Sequence, residues 1–474
     1  MSRLKLLPAG TVIAALALAG CKMLPPDGGM GAVQAFGGDA IGRNVMAIRS
    51  DEEAVAARTI VDKLLARPLS ADDTVQIALL NNRELQAAYN QLGISEAQMV
   101  QASLPPNPTF TIERIAGAGS VEIEARAIGS ILALLTLPAR AQIASDRFRQ
   151  AQLQAAEATL RVATETRRAY YRTIAARVLT GFLVQSQSTA RAAAELSKSL
   201  GESGTMNKLD QARNQVFFAE LTGQLAQARQ NAVIERERLI RAMGLWGDDL
   251  DFKLPASLPI MPSRPAARPD IEREAVARRL DLQMMRIEVQ MQARSANLTN
   301  ATRMVSVLDL AGIGKRVKTG GDRERERGFE LELQIPIFDL GASKVRQAEE
   351  TYMQAVNRLA AKAINIRSEA REAYGGYRAA YDIARHYRRE VLPLRKIISD
   401  ETLLRYNAMQ IDVFTLLVEA RQRIASTTAA IEAERAFWLA ATNLGASVLG
   451  GGAASGEGEA RGSTVAATES AAGH

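Results

Sequence analysis

A mostly α-helical chain with a small β part, built from two tandem copies of one plan, is the fold class this sequence predicts. Three observations predict it. The 474 residues are 47% hydrophobic but only 5% aromatic, a composition of long helices. Residues 328–406 carry a strand pattern followed by a helical pattern of unusual length. Phe329, Leu331, Leu333, Ile335 and Ile337 alternate with Glu330, Glu332, Gln334 and Pro336, a two-residue period with one oily and one wet face. After the turn Phe338-Asp339-Leu340-Gly341, apolar residues recur every three or four positions from Val345 through Tyr352, Leu359, Ile366, Tyr377 and Ile398 toward Arg405. That is a heptad-like seam on a rod on the order of 100 Å long. The third observation is a repeat. Glu84-Leu85 matches Asp281-Leu282 at an offset of about 197 residues, and Leu137-Pro138 matches Ile335-Pro336 at about 198.

Taken in order, residues 1–20 read as a signal segment, with Arg3 and Lys5 before an apolar stretch too short to span a bilayer. Leu18-Ala19-Gly20-Cys21 resembles a bacterial lipoprotein signal, which implies that Cys21 carries the lipid; Lys22 in place of an Asp favours the outer membrane. Residues 21–69 follow as a lipidated tether, with little regular structure expected from Met23 to about Ile48. The first repeat covers residues 70–254. Ser70-Ala71-Asp72-Asp73 caps a helix whose stripe runs through Val75, Leu79, Leu85 and Leu92 to the stop at Pro105-Pro106. Strands are expected over residues 109–115 and 121–137, a long helix from Pro138 to about Ser203, and its return over residues 207–243. Five prolines mark a linker over residues 255–269. The second repeat, residues 270–449, has the same order, with strands around residues 305–309 and 329–337. Gly450 to His474 reads as a disordered tail.

The composition excludes several functions. The 59 basic and 52 acidic residues, net +7, are spread along the chain, which is the pattern of a solvated surface and not of a nucleic-acid site. One Cys and two His cannot build a Cys/His metal centre or a Cys-His nucleophile. No positioned carboxylate pair, phosphate loop or nucleophile constellation is present, so neither an enzyme nor a cofactor is expected. Tyr352, Tyr374, Tyr377 and Tyr381 at helical spacing read as packing residues, and Met284, Met285 and Met291 as core filler. His386 reads as solvated, Asp248, Asp249 and Asp251 beside Trp246 as a polar helix exit, and residues 315–327 as a charged extracellular loop.

Four strands cannot close a barrel, and an open sheet in lipid would leave its edge amides unpaired, so several copies must pool their strands. The signal, the duplicated plan, the junction Ile335-Pro336-Ile337-Phe338-Asp339-Leu340-Gly341 and the stretch Leu404-Arg405-Tyr406-Asn407-Ala408-Met409 together resemble the TolC-type outer membrane efflux family, in its lipoprotein branch, over residues 60 to 448. The resemblance implies a homotrimer with a shared twelve-stranded outer membrane barrel and a periplasmic α-barrel tunnel. It also implies a periplasmic adaptor and an inner membrane pump as partners, with drugs, metal ions or proteins exported through the assembly. It places adaptor docking at the helix-to-helix turns, on Gly204, Thr205, Met206 and Asn207 and on Arg405, Tyr406, Met409 and Gln410. The second turn departs from the family in having Ala408-Met409 where a glycine is usual. Residues 131–137 depart in being apolar without alternation.

If the apolar residues of the strands face lipid, Glu122, Glu124, Glu330, Glu332 and Gln334 face a lumen, which should then favour cations, most strongly at low salt. The alternative reading is a periplasmic coiled-coil lipoprotein acting as scaffold or adaptor without a pore. An adaptor should carry one hairpin framed by several strands, whereas this chain repeats long hairpins with few strands.

Overall fold

The computed structural model describes residues 27–117, 120–320 and 322–452; the expected signal segment, Cys21 and residues 453–474 of the expected tail lie outside them. In chain order the principal elements are α1 Asp51–Leu65, α2 Ala71–Asn81, α3 Arg83–Ser103, β1 Thr109–Gly117, β2 Ser120–Ser130, α4 Ile131–Glu202 and α5 Lys208–Met243. The second half follows with α6 Ile271–Arg278, α7 Leu280–Ala301, β3 Val307–Thr319, β4 Asp322–Gln334, α8 Ala342–His386, α9 Leu392–Asn407 and α10 Val413–Leu449. The mostly helical, duplicated plan is the one expected. No helix among the described residues is long and apolar enough to cross a membrane.

The described residues form two compact units, the first drawn from residues 27–32, 89–155 and 281–362. Its centre is a four-stranded antiparallel meander in the order β1-β2-β3-β4, so β1 and β4 are edges with no neighbour among the described residues. Three expectations need correction here. The second strand stops at Ser130 and does not reach Leu137: the Ser130 Oγ accepts the Ala133 N–H at 3.4 Å, a capping contact that starts α4. Pro138 consequently sits inside α4, whereas Pro336 lies between β4 and α8, so the matched Leu-Pro and Ile-Pro pairs are not structural equivalents. Residues 315–327 are not a loop, because β3 and β4 run through them to a turn at Gly320. The second hairpin is longer than the first, with strands of 13 and 13 residues against 9 and 11.

The second unit comprises residues 33–88, 156–280 and 363–452. Ser70 caps α2 as expected: its Oγ accepts the Asp73 N–H at 3.1 Å, and Asp73 Oδ2 accepts the Ser70 N–H at 3.0 Å. The stripe from Val75 to Leu92, expected as one helix, breaks at Asn82, whose Oδ1 caps α3 through the Leu85 N–H. Arg279 makes the same extended break between α6 and α7, and these two breaks are related by the offset of about 197 that the sequence shows. The return helices α5 and α10 end in Gly244 and Gly450, and each glycine lies against its own half's break, at Asn81 and at Leu280.

The core of this unit packs Leu69, Ile77, Tyr170, Ile174, Leu239 and Met243, with Tyr171 stacked on Trp438 at 5.2 Å. Burial pushes the Tyr170 hydroxyl up to about 12. Tyr377 and Tyr381 are packing residues that also hold the Pro-rich linker: the Tyr377 hydroxyl accepts the Ala266 N–H at 3.0 Å, and the Tyr381 hydroxyl donates to the Ser263 carbonyl at 2.7 Å. The segment before residue 48 is more regular than expected. Short helical turns occupy Met30–Val33, Gln34–Gly38 and Asp39–Ile41, and Gln86 then holds the extended stretch that follows by accepting the Ile48 N–H at 2.9 Å and donating to the Met46 carbonyl at 3.1 Å. Gly451 and Gly452 are placed against Leu160 and Arg168, so the first residues of the expected tail are packed on the second unit. The long helix of the second half is interrupted by a π turn at Tyr387–Val391, just before Pro393, which has no N–H for the regular ladder.

Candidate functional site

In an antiparallel ladder directly paired residues share a face and neighbours along a strand do not. Glu122 pairs with Val317 and Val317 with Glu324; Glu124 pairs with Lys315 and Lys315 with Glu326; Glu330, Glu332 and Gln334 pair with Ala311, Asp309 and Val307. Glu122, Glu124, Glu330, Glu332 and Gln334 therefore lie on one face of the sheet, together with Glu113, Asp309, Glu324 and Glu326. Two cations stand among them. Lys315 Nζ reaches Glu122 at 2.5 Å, and Arg126 pairs with Glu124 and extends over β3 to Glu330 at 3.5 Å. The opposite face carries Phe110, Ile112, Leu310, Phe329, Leu331 and Leu333, all exposed or half-exposed, and only Arg or Lys as charged groups.

The junction motif forms a built turn where β4 gives way to α8. Asp339 Oδ1 accepts the Gly341 N–H at 2.9 Å and its other oxygen holds Ser343; these contacts, with Ser343 first, lower its carboxyl below the usual range. Gly341 has φ +72°, and a Cβ there would lie 2.4 Å from the Arg303 carbonyl oxygen, so only glycine fits between the two hairpin arms. Phe338 in this turn is 99% exposed.

In the second unit the two helix-to-helix turns are built alike. After α4, the Thr205 N–H bonds to the Leu200 carbonyl and the Gly204 N–H to Gly201; after α9, the Gln410 N–H bonds to Arg405 and the Met409 N–H to Tyr406. Both are Schellman closures, with Gly204 and Met409 in the left-handed region at φ +78° and +57°. Three residues on, Asn207 and Asp412 cap the next helices by accepting the Asp210 and Thr415 N–H groups. The Thr415 hydroxyl and amide hold the Asp412 carboxyl below its usual range. The turns lie side by side, because Arg213 stacks over the Phe414 ring at 4.5 Å and Arg421 reaches Glu220 at 3.2 Å. Phe217, Leu221 and Leu417 close a small apolar cluster behind them. Met409 is 93% exposed.

No protein-family model matches the chain, and none of the curated proteins does. Solved structures do. The outer-membrane channel OprN superposes with a TM-score of 0.67 at 16% identity, over 87% of this chain and 96% of that one. CusC, described through the conformational changes that accompany its folding and transmembrane channel formation, gives 0.67 at 13% identity over 81% and 92%. The open state of the Neisseria gonorrhoeae MtrE outer membrane channel gives 0.65 at 14% identity over 80% and 89%. The chain has the fold of the TolC-type outer membrane channels. Within that channel fold, the strand residues singled out in the sequence come together on one face, and the residues singled out in the two turns come together at one end of the second unit.

Several neighbours of these residues were not read from the sequence. Arg126 and Lys315 sit among the carboxylates, and the alternation that places Lys315 is hidden because residues 315–327 carry charged residues on both faces and Val317 as their one aliphatic side chain. Arg213 and Phe414 tie the turns together, a pairing across about 200 residues that no local pattern reveals. No group of three His, Cys, Asp or Glu that could hold a metal ion occurs among the described residues. His386 pairs with Glu390 at 3.1 Å, and Asp249 forms a two-pronged pair with Arg58, one contact at 2.6 Å, that fastens the helix exit to α1.

Proposed function

We propose that three copies of this chain assemble into an outer membrane channel that serves as the exit duct of a tripartite efflux pump, exporting small molecules or metal ions. Each copy contributes four strands to one closed twelve-stranded barrel and its helices to a periplasmic tunnel. The observation that carries this reading is the sheet itself, which has two free edges, one acidic face and one face whose apolar part lacks any carboxylate. Free edges are excluded from lipid unless other strands complete them, and a wet-in, oily-out alternation is the pattern of a membrane barrel. Exposed Phe338, at the strand ends away from the hairpin turns, then falls at the level of an interfacial aromatic belt. In this assembly Cys21 carries the lipid anchor, and the paired turns around Gly204 and Met409 meet the adaptor at the periplasmic end.

Native mass spectrometry of the full-length protein extracted in detergent tests the assembly. A three-copy complex that dissociates when the detergent is withdrawn is the expected result; a stable monomer in water alone favours the pore-free scaffold instead. Cysteines placed at Thr205 or Gln410 should crosslink to the adaptor in cells, and crosslinks confined to the strand end would contradict the docking assignment.

A further inference from the structure

The face of the sheet opposite the carboxylates changes character along its length. Nearest the hairpin turns, β3 and β4 set Lys318 beside Arg323 and, one rung down, Arg316 beside Arg325. Arg114 lies in that second rung, through Ile123, and Arg327 occupies the next. All six are exposed, and the sheet's own ion pairs are all on the other face. The sequence Asp322-Arg323-Glu324-Arg325-Glu326-Arg327 produces this segregation, because a strand sends every second residue to the same side. Like charges directly opposite each other in a sheet are destabilising, and here two such pairs are adjacent with no carboxylate on their side to offset them. Below the basic rungs the same face continues into Phe110, Phe329, Leu310 and Leu331 without an intervening acid.

We infer that this basic belt binds the phosphate groups of anionic lipid in the outer leaflet, with the lipid's acyl chains lying on the apolar rungs beneath. The inference rests on the channel reading above, which turns this face toward the membrane. Arginine forks match phosphate oxygens in pairs. The direct continuation from guanidinium groups to an apolar band fits an amphiphile, whereas a free phosphate or a nucleic acid would use only the upper rungs. A belt of this kind also fixes the depth of the barrel, since phosphates sit at the membrane surface and nowhere deeper.

The test is retention of lipid by the purified full-length oligomer, read by native mass spectrometry after incubation with diphosphorylated lipid A, its dephosphorylated form, or phosphatidylcholine, with planar-bilayer conductance measured on the same samples. The parent protein should retain the diphosphorylated lipid in preference to the other two. Replacing Arg323, Arg325 and Arg327 by Gln should lower that retention at least about tenfold, while Glu324→Gln with Glu326→Gln, on the opposite face, should leave it in place. A conducting parent oligomer that holds the three lipids equally would overturn the inference and leave the channel reading standing, and this comparison does not depend on the variants folding. Competition by inorganic phosphate alone, with no preference among lipids, would also overturn it. Absence of any conducting oligomer removes both readings together.

Discussion

The two halves of the chain close their long hairpins with the same turn and different residues. In the first, glycine occupies the left-handed position; in the second, Met409 does, at φ +57°, with its side chain almost wholly in solvent. The closing hydrogen bonds and the caps three residues later are the same in both. A side chain at such a position costs roughly 1–2 kcal/mol that glycine avoids. The turn's backbone is therefore what the duplication retains, and the second copy tolerates strain at an exposed tip. Strain held in that way is characteristic of surfaces used for more than folding, which supports the docking proposal for Met409 over a purely structural role.

The largest difference between the halves should appear at the ends of the return helices. A Cβ on Gly244 would lie 2.8 Å from the Asn81 carbonyl oxygen, at a φ of +67°. On Gly450, at φ +96°, it would meet only the Leu280 nitrogen at 3.7 Å. Gly244→Ala is expected to destabilise by about 2–4 kcal/mol and Gly450→Ala by about 1–2 kcal/mol, a ranking that thermal unfolding midpoints will read directly. Equal shifts would mean that the two glycines meet equivalent environments and would contradict this ranking. A smaller effect is expected at the turns. Met409→Gly should stabilise its turn by about 1 kcal/mol and Gly204→Met should destabilise the other by a similar amount. Amide exchange at Gln410 and Thr205 should move in opposite directions, and a common direction would show that backbone strain does not distinguish the two turns.

The smallest expected difference is one of pH. Asp412 has its carboxyl lowered by Thr415, so its cap is at full strength above the ordinary aspartate value near 3.8 and is lost as pH falls through the lower folded value. Asn207 does not titrate. On acidification toward pH 3, the start of α10 should therefore fray before the start of α5, seen as faster exchange at Thr415 than at Asp210. Asp412→Asn should make the two alike.

Much of this was legible because it is local and periodic. The alternation from Phe329, the seam after Val345, the cap at Ser70 and the duplication each leave a pattern within a few residues or at a constant offset. The parts that were not legible have physical reasons. The stripe from Val75 to Leu92 continues unbroken across Asn82, because the kink is made by a side chain that caps the next helix and leaves the apolar spacing intact. The charged run from Lys315 hides two strands, since hydropathy is flat when one face is acidic and the other basic. The regular stretch before residue 48 is held by Gln86, a contact that only the folded chain brings together. Among the candidate residues, the shared face of Glu122, Glu124, Glu330 and Glu332 follows from alternation within each strand, but the pairs Glu122–Lys315 and Glu330–Arg126 depend on register between hairpins about 200 residues apart.

That pairing separates the halves once more. Glu122 and Glu124 are ion-paired, whereas Glu330 has only the 3.5 Å contact to Arg126 and Glu332 has no ion-pair partner among the described residues. If this face lines a conducting bore, the second-half carboxylates should set its preference for cations. Reversal potentials of the reconstituted oligomer across a planar bilayer, under a salt gradient at low ionic strength, test this most directly. A modest cation preference is expected, one that falls with Glu330→Gln plus Glu332→Gln and changes less with Glu122→Gln plus Glu124→Gln. A conductance without cation preference, or a preference that neither pair of substitutions alters, would contradict it.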